Sequence, residues 1–87
     1  MKDVKTIVAQ FADIMGLSID DNYKKYNVCV VILDNDMSPW LKKSRYYSGF
    51  GYNVASAYNN LLEDIMQQHH WSTIEEMQIW LDMQNIA

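Results

Sequence analysis

The chain has one cysteine, Cys29, which cannot close an internal disulfide. Small secreted domains are normally stapled by several such bonds, so a disulfide scaffold is excluded and a reducing compartment is expected. One proline and three glycines leave few interruptions in 87 residues, which excludes collagen-like and Gly/Pro-rich disordered chains. The longest notable apolar run, Val28-Cys29-Val30-Val31-Ile32-Leu33, is far short of the roughly 20 residues that span a bilayer. Asp3, Lys5, Gln10 and Asp13 interrupt what would be the apolar region of a signal peptide between Met1 and Gly16, so a cytoplasmic location is expected. Lysine and arginine are missing altogether from residues 53–87.

What is present is apolar material enough for one core: 49% hydrophobic and 13% aromatic residues. A chain of this length makes one domain, 1–87, with a thin margin of stability. The net charge of −4 is unevenly spread. Residues 23–52 hold Lys24, Lys25, Lys42, Lys43 and Arg45 against Asp34 and Asp36, whereas residues 53–87 hold only Glu63, Asp64, Glu75, Glu76 and Asp82. A basic middle and an acidic final third point to a charged partner on one side.

Val4, Ile7, Val8, Phe11 and Met15 fall on one helical stripe, which predicts a helix near 3–15 with Asp3 as N-cap and Gly16 as its stop. Leu17 to Asn27 reads as a polar connection. The run 28–33 then predicts a strand buried on both faces, because four of its six residues are β-branched. Asp34-Asn35-Asp36 supplies turn chemistry, and Pro39 argues against a central strand there. One or two further strands are expected between Trp40 and Tyr52, with Trp40, Lys42, Ser44, Tyr46, Ser48 and Phe50 on one face and a bulge or tight turn at Gly49 and Gly51. A second helix near 54–69 follows from an Asn53 N-cap and the apolar face Val54, Ala57, Tyr58, Leu61, Leu62, Ile65 and Met66. Ser72-Thr73-Ile74-Glu75 matches a capping box opening a third helix, 73–84, that buries Ile74, Met77, Trp80 and Leu81. The fold class is therefore α+β: an N-terminal helix, a small antiparallel sheet of two or three strands, and two C-terminal helices packed on it.

Candidate chemistry is sparse. Asp34 and Asp36 follow a strand, a common place to hold Mg²⁺ beside a phosphate, but they read more simply as turn residues. His69 and His70 are adjacent, and neighbouring helical side chains diverge by about 100°, which defeats chelation. They are expected at a helix C-terminus, favoured there by the dipole when protonated. Cys29 sits mid-strand in apolar surroundings and reads as inert packing. Gly49-Phe50-Gly51 before a helix suits an anion weakly and a strand-to-helix turn well. No metal, cofactor or enzymatic activity is expected.

Tyr23-Lys24-Lys25-Tyr26 and Lys42-Lys43-Ser44-Arg45-Tyr46-Tyr47 interleave cations with rings, a mixture that suits nucleic acid and equally suits a protein interface. The helix–strands–helix order with Gly49-Phe50-Gly51 resembles a double-stranded RNA-binding domain. That family grips phosphates with lysines at the start of its second helix, where this chain has Asn53-Val54-Ala55-Ser56. In length, element order and its acidic helices with Glu63, Asp64, Glu75, Glu76 and Asp82, the whole chain also resembles small phage-encoded anti-CRISPR inhibitors. That resemblance implies a non-enzymatic protein that blocks a basic surface on a larger intracellular partner. The expected partner-binding residues are Tyr46, Tyr47 and Tyr52 as anchors with Glu75, Glu76 and Asp82 as an acidic rim. The alternative is a nucleic-acid-binding module using Lys24, Lys25, Lys42, Lys43 and Arg45.

Overall fold

A computed structural model describes residues 3–34 and 46–84. The elements run α1 (Val4–Met15), β1 (Ser18–Lys25), β2 (Val28–Asp34), β3 (Tyr46–Gly51), α2 (Val54–Gln68) and α3 (Ile74–Gln84). The strands form one antiparallel sheet in the order β1-β2-β3, so the α+β architecture expected from the sequence is what the chain adopts. The Cα envelope measures 41 × 36 × 19 Å, a thickness that fits one sheet and one helical layer.

Helix α1 starts as its sequence dictates: Asp3 Oδ1 accepts from the Thr6 N–H at 2.8 Å. That bond holds the Asp3 carboxyl below its ordinary pKa. The helix stops where Gly16 takes φ +69°. Asn53 caps α2 in the same way, accepting from the Ser56 N–H at 2.8 Å. Helix α3 departs from expectation by one residue. Thr73 Oγ1 accepts from the Glu76 N–H at 3.3 Å, and Glu76 Oε2 accepts from the Ser72 N–H at 3.2 Å. The N-cap is thus Thr73, because it stands three residues before the Glu76 N–H.

The stretch 17–27, expected to be a connection, is mostly a strand. β1 is an outer strand of polar residues, Ser-Ile-Asp-Asp-Asn-Tyr-Lys-Lys, and lacks the apolar alternation that marks a strand with one buried face. A two-residue turn, Tyr26-Asn27, joins it to β2 with φ of 53° and 63°. Positive φ at both central residues matches the twist of a tight hairpin. Opposite Val31, two β1 residues stand against one: Asp20 pairs with Ile32 and Tyr23 with Val30, leaving Asp21 and Asn22 as a bulge. The bulge brings the Asp21 carboxylate to the Tyr58 hydroxyl, which donates to it at 3.0 Å. Burial, then this bond and the Asp21 charge, raise the Tyr58 pKa to about 12.

β2 was expected to be buried on both faces. It is buried on one: Cys29, Val31 and Leu33 face the helices, while Val28, Val30 and Ile32 are only half-buried. The cause is that the helices pack on a single side of the sheet. Ile7, Val8, Phe11, Val31, Leu33, Leu61, Ile65, Met77 and Leu81 fill the space between. Burying each such side chain contributes roughly 1.5–3 kcal/mol. At one end of this core the edge of Phe11 meets the rings of Tyr47 and His69 at 5.5 Å, and His69 stacks on Trp71 at 4.6 Å.

Gly49 and Gly51 form neither a bulge nor a turn. Both lie in regular register with β2. A Cβ on Gly49 would overlap the backbone of Ala57 and Leu61, and one on Gly51 would press on Ser56 and Ala57. Glycine is what lets α2 lie against the strand. Along the outer edge of β3, Gln68 Nε2 donates to the Tyr46 carbonyl at 3.1 Å. The Ser48 N–H donates to Asp64 Oδ2 at 3.1 Å, and Asn60 Nδ2 donates to the Phe50 carbonyl. Four helical residues advance about 6 Å and two strand residues about 6.7 Å, so an i, i+4, i+8 stripe keeps step with alternate residues of an extended edge.

Candidate functional site: the open face of the sheet

Register places side chains in rows on the face that none of the described helices covers. Tyr23, Val30 and Phe50 form one row across all three strands. Asp20, Ile32 and Ser48 form the next, and Ser18, Asp34 and Tyr46 the last. On the other side of the central row stand Lys25 and Val28. Tyr23 and Phe50 are 55% and 57% exposed and Tyr46 is 50% exposed. Val28, Phe50, Gly51 and Tyr52 line a shallow hollow of about 250 Å³ beside the row. The result is an aromatic-aliphatic strip over a rigid sheet, with a cation at one end and carboxylates at the other. Such a surface offers dispersion and desolvation to an apolar partner.

The expected anchors divide. Tyr46 lies on this face, and Tyr52, 87% exposed, stands just past the end of β3. Tyr47 is corrected: it is 2% exposed, and its hydroxyl lies 2.8 Å from His69 Nε2 within the aromatic cluster. Residues 46 and 47 alternate across the pleat, so only one of the pair can face outward. Glu75, Glu76 and Asp82 are exposed on α3, which packs chiefly on α1. The structure therefore sets the acidic residues in the helical layer, apart from the open face, rather than as a rim around the tyrosines. Glu76 is also engaged in the start of α3.

Of the five expected cations, Lys24 and Lys25 point to opposite faces of β1, while Lys42, Lys43 and Arg45 lie outside the described residues. Trp40, Ser44, Pro39, Asn35 and Asp36 lie outside them as well. Asp34 is exposed at the end of β2. His69 ends α2 and His70 follows it at φ 60°. The His70 N–H bonds the Gln67 carbonyl and the Trp71 N–H bonds the Met66 carbonyl, the paired bonds of a Schellman ending. Cys29 is buried and free. Among the described residues no group of three His, Cys, Asp or Glu side chains is arranged to hold a metal ion, and no helix is long and apolar enough to cross a membrane.

Tyr23 and Phe50, the centre of this face, were not singled out as anchors from sequence. Alternation puts Phe50 on the outward face, whereas Tyr23 falls in a stretch that reads from sequence as a polar connection, and only strand pairing aligns the two. Comparison of the chain with family models, curated proteins and solved structures finds no match.

Proposed function

We propose that the protein is a non-enzymatic binding module that works by protein–protein association through the open face of its sheet. The observation that carries this reading is the Tyr23–Val30–Phe50 row, with both rings more than half exposed on a fixed backbone. Aromatic side chains on a rigid element bury large area at low entropic cost and serve as interface anchors. Glu75 and Asp82 lie in the helical layer, outside the contact face, and their long-range field raises the rate at which a larger protein with a basic surface is encountered.

Affinity capture from a host lysate followed by surface plasmon resonance tests this. Phe50→Ala is expected to speed dissociation of the captured partner roughly ten-fold or more, as loss of a central anchor does. Glu75→Lys is expected to slow association, with the difference shrinking as salt rises. A partner whose kinetics ignore Phe50→Ala would remove the sheet face from the account.

A second reading, single-stranded nucleic acid stacked on the same rings, is favoured by Lys25 lying on the face with Tyr23. Asp20 and Asp34 share that face and oppose a polyanion. Fluorescence anisotropy at physiological salt separates the readings: submicromolar binding of any oligonucleotide would replace the first by the second.

A further inference from the structure

We infer that the occupant of the open face is a second copy of this chain, docked sheet to sheet about a two-fold axis that crosses the strands over the Tyr23–Val30–Phe50 row. This rests on the reading of that face as a protein-contact surface and names its occupant in the free protein, which a larger partner displaces.

The first support is the placement of charge. In β1, Lys25 pairs with Val28 and Asp20 pairs with Ile32. Midway between Val28 and Ile32 on β2 stands Val30, the centre of the aromatic row. A two-fold axis along that row reverses the strand direction and keeps each strand over its own copy. It therefore sets Lys25 of each chain over Asp20 of the other, and apolar row on apolar row. The alternative axis, parallel to the strands and over β2, would set β1 of each chain over β3 of the other, with Asp20 over Ser48 and Lys25 beyond Phe50, and would leave both charges without a charged partner. Isologous contacts require this self-complementarity, in which residue i meets j and j meets i.

The second support is that lateral association is blocked. The outer edge of β3 already bonds Asn60, Asp64 and Gln68 of α2, and β1 carries a bulge and four charges. Devices of this kind suppress edge-to-edge pairing. Among the described residues both edges disfavour pairing, so a copy approaches the sheet face on, as in an aligned sandwich about 10 Å thick. Three strands by six residues span roughly 15 × 20 Å. That is roughly 300 Å² per chain and about 600 Å² in all, below the usual size of a specific interface, so a weak dimer with a dissociation constant on the order of 100 μM or weaker is expected.

Sedimentation equilibrium of the full chain between about 1 μM and 1 mM tests the inference, a range chosen to bracket that constant. The wild type is expected to pass from the 10.2 kDa chain toward twice that mass. Lys25→Asp should weaken the dimer roughly ten-fold or more, since it faces carboxylate with carboxylate twice per dimer. The double exchange Lys25→Asp with Asp20→Lys should restore it, a rescue no unrelated partner would give. Asp20 Oδ1 also accepts from the Asn22 N–H at 3.2 Å, so Phe50→Asp serves as the variant that leaves the bulge intact and sets like charges together at the axis. A dimer indifferent to Phe50→Asp, or one not rescued by the double exchange, overturns the docking. A monomer at every concentration overturns the inference. In that case capture of a different protein that Phe50→Asp abolishes leaves the proposed function standing, and capture indifferent to Phe50→Asp removes both.

Discussion

Asp64 is the residue on which the junction of α2 and β3 can be tested most sharply. Its Oδ2 accepts from the Ser48 N–H and from Gln68 Nε2, each at 3.1 Å. Asp64→Ala strips the acceptor from a backbone donor on the sheet edge and frees the Gln68 amide that also holds the Tyr46 carbonyl. A hydrogen bond to a charged acceptor contributes about 1.5–3 kcal/mol when buried. Asp64 is half-buried, which lowers the expected loss to about 1–2 kcal/mol. For a domain of this size that is a fall in Tm of roughly 4–16 °C. Asp64→Asn keeps an oxygen acceptor and should lose less than half as much. Asn60→Ala removes one neutral bond, and Gln68→Ala removes one neutral bond together with an exposed bond to the Asp64 carboxylate; both should fall below Asp64→Ala, at about 0.5–1 kcal/mol. Thermal denaturation followed by circular dichroism reads all four. An Asp64→Ala protein melting within about 2 °C of the wild type, or an Asp64→Asn protein no better than Asp64→Ala, would refute the edge-capping role, given the sensitivity expected of a chain this short.

Gly49→Ala is expected to destabilise by about 2–3 kcal/mol or more in urea titration, because the added Cβ meets backbone of Ala57 and Leu61 and no side chain can swing aside. Tyr26→Asn should stabilise by roughly 0.5–1 kcal/mol in the same assay, since Tyr26 sits at φ 53° in a turn position that asparagine adopts readily. Tyr58 ionises near pH 12 in the fold against 10.0 ordinarily. Its stabilising contribution is therefore whole below pH 10 and is lost as pH rises through 12, about 1–2 kcal/mol after solvent screening. Urea titrations across that range should show the fall in the wild type and a smaller one in Tyr58→Phe. Thr73→Ala should lower stability by about 1 kcal/mol and Ser72→Ala by less than half of that, reversing the order a cap at Ser72 would produce.

The helices were legible because their apolar residues recur with the right period and their caps are encoded locally. Asp3, Gly16 and Asn53 do in the structure what those residue types do in general. The Thr73 cap was displaced by one residue because Ser72 and Thr73 both precede a glutamate at the capping interval, Ser72 before Glu75 and Thr73 before Glu76. β1 was hidden for a different reason. An outer strand need not alternate, and Asp21 and Asn22 break whatever alternation Ser18 to Lys25 has. The apolar density of 28–33 signalled a strand but not how many faces were covered, since that depends on which side the helices take. Tyr47 shows the limit at one residue. Its neighbour Tyr46 has the same side chain, and only the phase of the pleat sends one ring into the core and the other out. The open face was invisible for the same cause, since Tyr23, Val30 and Phe50 become neighbours only through pairing of three strands.

Hydroxyl-radical footprinting of the free and associated protein tests the central claim most directly, because aromatic, sulfur and large aliphatic side chains report their own burial. The open-face account predicts that association protects Tyr23, Phe50 and Tyr46 while Ile79 and Met83, exposed on α3, keep their reactivity. Protection of Ile79 and Met83 with Tyr23 and Phe50 still fully reactive would contradict it and move the contact surface to the helices.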